Sequence, residues 1–493
     1  MGGKATRKVY RSTNWRPASR PIANAQSFWV YPSAAMQTLK NHYDVVVVGG
    51  GPAGTTCGHL LAKRGWDVLI VEKEEHPRFR IGESLLPHST QVWDELGLFD
   101  RFEAGPFARK YGAWFDFAEG GGRESFYFGG DDPERGDWSW NVERSWFDNV
   151  LWEAAIEAGA QGTQNTEVTR FHTEGEGESA VIRGVDLKLQ DGSERSVTAR
   201  LTIDASGRLS LVGKLLRLRQ PDPRLNMVAS YAHYEGAAPI EGRDAGTIGI
   251  VATAHGWSWL IPLSGDKRSV GFVVRNSSYA ARVKGSNPSE VFEKLVDETP
   301  AVRDWLGPDA TMTRAVDTTA NFSFRCSSMA GEGWVLAGDA GAFVDPVFSS
   351  GVHLAMEGGR RLVLDADRAL RRRTEGLVPR RAFRSYEKGT RTALKVFSRF
   401  IYKWYEDEYR WAFMRPPPNS KAVHFVKKRI LRVLAGDVYQ PWRVVPFMWV
   451  LEMMAVVNAV GVKRLNSELP APGMAPRLLP GRNSDAAQPE TSV

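Results

Sequence analysis

Three stretches of this sequence set chemically useful residues at telling spacings. In GGGPAG, Gly49, Gly51 and Gly54 stand at G-x-G-x-x-G spacing, with Ala53 in the same turn. That spacing gives a tight turn, close backbone approach to a pyrophosphate, and close helix–strand packing. In DPVFSSGVHLA, Ser349, Ser350 and Gly351 follow a proline and lead into a helical pattern. They therefore sit at a helix N-terminus, where free N–H donors and the positive end of the helix dipole favour an anion. Simple N-capping by a serine is compatible with the same spacing. In HGWSWLIP, Trp257 and Trp259 are two apart and share one face of a strand as an aromatic wall. Pro262 ends that ladder because it has no N–H to donate. Taken alone, such a stretch is also an ordinary core-facing edge strand.

The elements around the first glycine turn are well marked. YDVVVV is a continuous apolar run suited to a strand buried on both faces. TTCGHLLAKRG follows with a helical pattern, and DVLIVE gives a second strand that ends on Glu72. A carboxylate at that place can accept from ribose hydroxyls, so strand, turn, helix, strand and acid together predict dinucleotide binding. A helix N-terminus behind the turn offers amides to the phosphates. Two further glycine turns follow strands: Asp204-Ala205-Ser206-Gly207 in ARLTIDASGRLS, and Gly338-Asp339-Ala340 in GWVLAGDAGAFVDP.

At 493 residues the chain is long enough for several domains or one large α/β enzyme. Its 42% hydrophobic content and 48 glycines suit a globular protein. With only Cys57 and Cys326, and neither CxxC nor HExxH, no disulfide framework or metal site is indicated. A formal charge of +7 favours anionic partners, but no basic-plus-aromatic motif points to nucleic acid. No uninterrupted apolar run reaches transmembrane length; VVPFMWVLEMMAVVNAVG is broken by Pro446, Glu452 and Asn458. The N-terminal stretch lacks the apolar segment of a signal peptide, so a cytoplasmic address is expected. The expected organisation is a flexible extension at 1–41, an α/β body at 42–365, a helical region at 366–469, and a disordered Pro/Gly/Ser-rich tail at 470–493.

The motif order resembles FAD-containing oxidoreductases of the p-hydroxybenzoate hydroxylase fold: a Rossmann-like α/β module with an inserted substrate-binding sheet. The resemblance implies FAD, with Asp339 (after Gly338) on the ribityl chain and Arg144 of WNVERSWFDNVLWEAAIEAGA close to the flavin. Within that fold, Trp257, Trp259, Ile261 and Pro262 match the Trp-x-Trp-x-Ile-Pro signature of flavin-dependent halogenases, where the wall lines a tunnel between flavin and substrate. HPRFRIGESLLPHSTQVWDELGLFDRF is similar to the corresponding segment of phenol and pyrrole halogenases. In PFARKYGAWFDF, Lys110 falls at the place of the essential lysine, with Arg109 its neighbour. The resemblance further implies halide, chloride or bromide, held chiefly by Ser350 and Gly351 beside Ser349.

A lysine suits this chemistry. Its ammonium offers three donors on a flexible stem to retain a small oxidant, and a partly desolvated site draws its pKa towards neutrality. One departure from the tryptophan enzymes is informative: Phe348 stands where they carry a glutamate that helps remove the ring proton. An electron-rich phenol or pyrrole is therefore expected over an indole. RFIYKWYEDEYRW and RVLAGDVYQPWR resemble the helical extension of halogenases whose aryl or pyrrolyl substrates ride on acyl or peptidyl carrier proteins. Basic runs such as RALRRRTEGLVPRRAFR, with Arg371, Arg372 and Arg373, suit an acidic carrier, although a solvated helix face is the usual fate of such runs. The expected function is an FADH2-dependent halogenase supplied by a separate flavin reductase. A monooxygenase or reductase of the same fold, and a membrane-surface or partner-binding flavoprotein, are the alternatives.

Overall fold

A computed structural model describes residues 38–118, 120, 122–128, 138–373, 375–414 and 429–440, with 446, 449 and 452. The expected terminal extension (except 38–41) and tail lie outside these residues.

The run His42–Val48 is a strand at the centre of a parallel arrangement. Val68–Val71 pairs on one side of it and Glu194–Asp204 on the other, with Gln161–Thr163 and Trp334–Leu336 outside them. Both faces of this sheet are covered, which is why its strands read as continuous apolar runs. Val45, Val47, Ile70 and Leu201 pack under the helices Pro52–Ala62, Arg144–Glu157 and Ser350–Arg372. Val46, Val48, Leu69 and Val71 face Val185 and Leu187 of a strand that folds back antiparallel on Glu194–Asp204. The first strand thus ends where neighbouring connections diverge, and its glycine turn opens into that crevice.

A second, mostly antiparallel sheet runs in the order Thr311–Met312, Met227–Glu235, Arg268–Arg275, Gly256–Pro262, Ile248–Thr253, Gly112–Phe117, Glu124–Tyr127. HGWSWLIP is therefore a central strand, paired on both sides, and not an edge. Pro262 is its last residue, where a missing donor costs the ladder least. Alternation divides the sheet's faces. Trp114, Leu260, Val270 and Phe272 pack on the helices Asn276–Arg282, Pro288–Asp297 and Pro300–Leu306. Trp257, Trp259 and Ile261 face the opposite way, into a cluster with the helix Arg384–Trp404.

That helix is amphipathic: Ala393, Val396, Phe397, Phe400, Ile401 and Trp404 recur at three- and four-residue spacing and are buried. Each fully buried aromatic of this kind contributes roughly 2–3 kcal/mol of hydrophobic stabilisation. The expected boundary between the α/β body and the helical region, between 365 and 366, lies inside the helix Ser350–Arg372. That helix runs unbroken across the boundary to Arg372.

Candidate active site

Gly49 adopts φ +112°, and a β-carbon on it would stand 2.4 Å from the Ala205 carbonyl oxygen. One on Gly54 would stand 1.9 Å from the Gly49 carbonyl oxygen. These two glycines close the turn against the protein itself. Gly51 differs, because a β-carbon there would meet nothing nearer than Arg78 Nη2 at 3.9 Å. The chain leaves open space in front of Gly51, and no side chain caps the helix that begins after it. A pyrophosphate fits there. Gly338, at φ +57°, brings the third glycine turn against the first: its β-carbon would lie 3.0 Å from that of Ala53.

Glu72, expected to face ribose hydroxyls, is buried and already accepts from Gly50 N–H (2.8 Å), Glu74 N–H (3.1 Å) and Arg78 Nη2 (3.0 Å). A carboxylate offers about four acceptor directions, so about one remains for a ligand. Burial alone would raise this carboxyl, but the Arg78 guanidinium and the two N–H donors hold it below its usual range. Arg78 reaches on to Asp148 Oδ2 at 2.8 Å, and Arg144 grips both Asp148 oxygens at 2.8 and 2.9 Å. Arg144 also donates to the Ile81 carbonyl at 2.7 Å. The four charges form one buried chain that locks Arg144 and the RIGES segment in place. The i,i+4 spacing of Arg144 and Asp148 was a sequence signal for that pair; nothing local pointed to Arg78.

The two later aspartates behave differently. Asp204 is fully buried and used internally, accepting from Ser206 N–H at 3.0 Å and Val212 N–H at 2.8 Å. Asp339 is half-buried and makes no hydrogen bond to any described residue. Burial pushes its carboxyl up to about 6, against the pull of Arg208 and Arg144. An unpartnered acid beside the paired glycine turns is what a polyol chain would satisfy, so these residues fit an FAD.

Lys110 ends the strand Ala108–Lys110, which pairs with Ser139–Asn141. It is 2% exposed, donates to the Leu85 carbonyl at 3.1 Å, and lies 5.4 Å from the Phe128 ring centre. Burial draws its amine down to about 7. Arg109 turns the other way, stacking on Trp138 and pairing with Glu103 with about two-fifths of its side chain exposed. Asn141 then joins the lysine strand to the tryptophan strand, because its Nδ2 donates to the carbonyls of Pro262 (2.9 Å) and Gly246 (2.8 Å). Sequence reasoning missed Asn141.

Trp257 and Trp259 lie with ring centres 6.0 Å apart at 49°. Trp259 covers Gly271 on the next strand, where a β-carbon would fall 2.2 Å from its ring. Ile261, Leu86 and Phe348 join the same apolar cluster. Phe348 packs on Phe400 at 4.8 Å and Trp404 at 6.1 Å, so the C-terminal helix walls this side of the site. Ser349 sits at φ +55° before the helix Ser350–Arg372 and makes no side-chain capping bond, which removes simple capping as its role. Ser350 is buried, and the β-carbon position of Gly351 lies 3.5 Å from the Phe343 ring. Sequence reasoning also missed Asp345 and Tyr405, which tie this turn to Trp257. Among the described residues there is no His/Cys/Asp/Glu cluster able to hold a metal ion, and no helix long and apolar enough to cross a membrane.

The sequence profile of the FAD binding domain family matches residues 42–377. A tryptophan 2-halogenase from Chondromyces crocatus is 34% identical over 64% of this chain, which spans 60% of that protein. A 1H-pyrrole-2-carbonyl-[peptidyl-carrier protein] chlorinase from Pseudomonas fluorescens is 30% identical over 85% of this chain and 94% of its own length. The solved flavin-dependent brominase Bmp2 superposes with a TM-score of 0.72 at 27% identity, over 84% of this chain and 98% of its own.

Proposed function

The chain belongs to the FAD-binding flavin-dependent halogenases, and we propose that it uses O2 and chloride or bromide to halogenate an electron-rich aromatic ring. FADH2 would come from a separate flavin reductase. The observation that carries the proposal is Lys110: a buried amine with a pKa near 7, on a strand whose paired neighbour is joined through Asn141 to the Trp-x-Trp-x-Ile-Pro strand.

When bound, reduced FAD with O2 supplies the oxidising power that turns halide into hypohalous acid. Everything else falls to this chain's own residues. Gly49, Gly51, Ala53, Gly54 and Gly338 would hold the cofactor, with Glu72 and Asp339 accepting from its hydroxyls and Arg144 close by. Ser350 and Gly351 would hold the halide at a helix N-terminus. Lys110 Nζ would retain the hypohalous acid by donating to its oxygen, or take up the halogen as a neutral amine while hydroxide leaves as water. An amine of pKa near 7 is present in both forms at neutral pH, so either route is open. The buried apolar wall of Trp257, Trp259 and Ile261 would exclude water along this side of the site.

Phe348, wedged against Phe400 and Trp404, leaves no carboxylate at that position to take the ring proton. A phenol or pyrrole, which loses its proton with less help, suits this wall better than an indole. The carrier-dependent pyrrole chlorinase, matched over nearly its full length, supports a substrate tethered to a carrier protein. Product mass spectrometry tests the proposal: enzyme, flavin reductase, FAD, NADH, halide, and a panel of phenols and pyrroles, free and carrier-bound. Halide-dependent mass gains are expected; hydroxylated products indifferent to halide would establish the monooxygenase alternative.

A further inference from the structure

We propose that Asp345 and Tyr405 are positioning residues that hold the turn leading into the proposed halide site. Asp345 is 2% exposed and starts the short 3₁₀ turn Pro346–Phe348. Its Oδ1 accepts from Val347 N–H at 3.0 Å, and its Oδ2 accepts from the Tyr405 hydroxyl at 2.8 Å. The Tyr405 oxygen in turn accepts from Trp257 Nε1–H at 2.9 Å. Indole nitrogen can only donate, so Trp257 uses the Tyr405 oxygen as acceptor and the Tyr405 hydroxyl proton is left for Asp345 Oδ2.

The turn needs an external anchor. Ser349 carries a side chain in the left-handed region, at φ +55°, which costs on the order of 1–3 kcal/mol unless the surroundings hold it. Its own hydroxyl makes no capping bond. The anchor is the carboxylate four residues earlier, itself held by a tyrosine from the C-terminal helical region. Removing the Tyr405 hydroxyl leaves a buried carboxyl oxygen and the Trp257 N–H both without partners, which loosens the hold of Asp345 on the turn. Ser350 and Gly351 follow directly, so their amides move with it.

This inference rests on the halide role of Ser350 and Gly351, and the test separates the two. Tyr405→Phe, Asp345→Asn and the double variant are compared by FAD affinity, melting temperature, and halide dependence of turnover. Each single variant is expected to raise the halide concentration for half-maximal rate about fivefold or more, with FAD affinity within about twofold of native. Because the two residues act through one bond, the double variant should be no worse than the worse single one. Additive effects, or an unchanged halide dependence in Tyr405→Phe, would overturn the proposal. Should Tyr405→Phe not fold, the half-saturation and maximal rate of Asp345→Asn decide: a change confined to maximal rate overturns it. If Ser350→Val shifts halide dependence while Tyr405→Phe does not, the halide site stands and only the anchoring role falls.

Discussion

Lys110 Nζ donates to the Leu85 carbonyl at 3.1 Å from a side chain that is almost wholly buried, while the next residue back, Arg109, lies at the surface. Strand alternation makes that division, because successive side chains point to opposite faces. Lys110→Ala is expected to abolish halogenation while oxygen still reoxidises the flavin, a loss equivalent to roughly 4 kcal/mol or more of barrier. Arg109→Ala should keep near-native turnover. The two variants compared by product formation and flavin reoxidation assign the lysine; near-native chlorination by Lys110→Ala would remove it.

The burial of Lys110 also predicts a pH dependence of stability. The unfolded chain protonates this amine below about 10.5, and the folded chain only below about 7. Between those values the unfolded state binds more protons, so this group's penalty shrinks and stability rises as pH rises. Lys110→Met removes the group, so the variant should exceed the native protein in stability by the largest margin at or below pH 7, with the margin closing towards pH 10. Denaturant unfolding of both proteins at several pH values checks this. A margin that does not change with pH would mean the amine is charged in the fold.

The glycine turn separates folding from binding. Gly51→Val is expected to weaken FAD binding sharply with little change in melting temperature, since open space surrounds that β-carbon position. Gly54→Ala should instead lower stability by about 1–3 kcal/mol or more, because its β-carbon meets the Gly49 carbonyl. Flavin fluorescence titration and thermal unfolding of the two variants distinguish the cases. Normal FAD affinity in Gly51→Val would place the pyrophosphate elsewhere.

Ser350→Val removes a hydroxyl and adds bulk at the first turn of the helix Ser350–Arg372. The expected outcome is a rise of several-fold in the halide concentration for half-maximal rate, without loss of FAD. Steady-state rates over a range of chloride and bromide concentrations give the answer. An unchanged dependence would move the halide away from this turn.

What could be read from the sequence was whatever a few consecutive residues decide by themselves. Gly49, Gly51 and Gly54 set a turn within six positions, Trp257 and Trp259 share a face by alternation, and Ser349 precedes a helix by pattern. The supports of these residues come from far along the chain. Arg78 meets Asp148 across 70 positions, Asn141 meets Pro262 across 121, and Trp257 meets Tyr405 across 148. No local spacing encodes such pairs; they exist only once two sheets and a C-terminal helix have packed. The same limit applied to Glu72, whose place was legible but whose bonds to Gly50, Glu74 and Arg78 were not.

The arginines expected to meet a carrier protein stand far from the site along their own helix. Arg371 and Arg372 end the helix that begins at Ser350, with Arg373 next in the chain, about 30 Å away along its axis. Arg371 is engaged there by Asp367 at 2.9 Å. A cavity of about 460 Å³ lies nearer the site, with Phe324, Phe343 and Tyr402 in its lining. Arg325 and Lys395 line it too, and both are exposed without an ion-pair partner among the described residues. Phe343 borders both this groove and Gly351. If an acidic carrier delivers the substrate, Arg325→Glu with Lys395→Glu should slow turnover of the carrier-bound substrate several-fold at low salt and flatten its salt dependence. Reversal at Arg371, Arg372 and Arg373 should do little, and a free phenol should be halogenated equally well by all variants. The measurement is kcat/KM against ionic strength for carrier-bound and free substrates. Equal salt response of both substrates, with no effect from Arg325 and Lys395, would leave a halogenase of free aromatics.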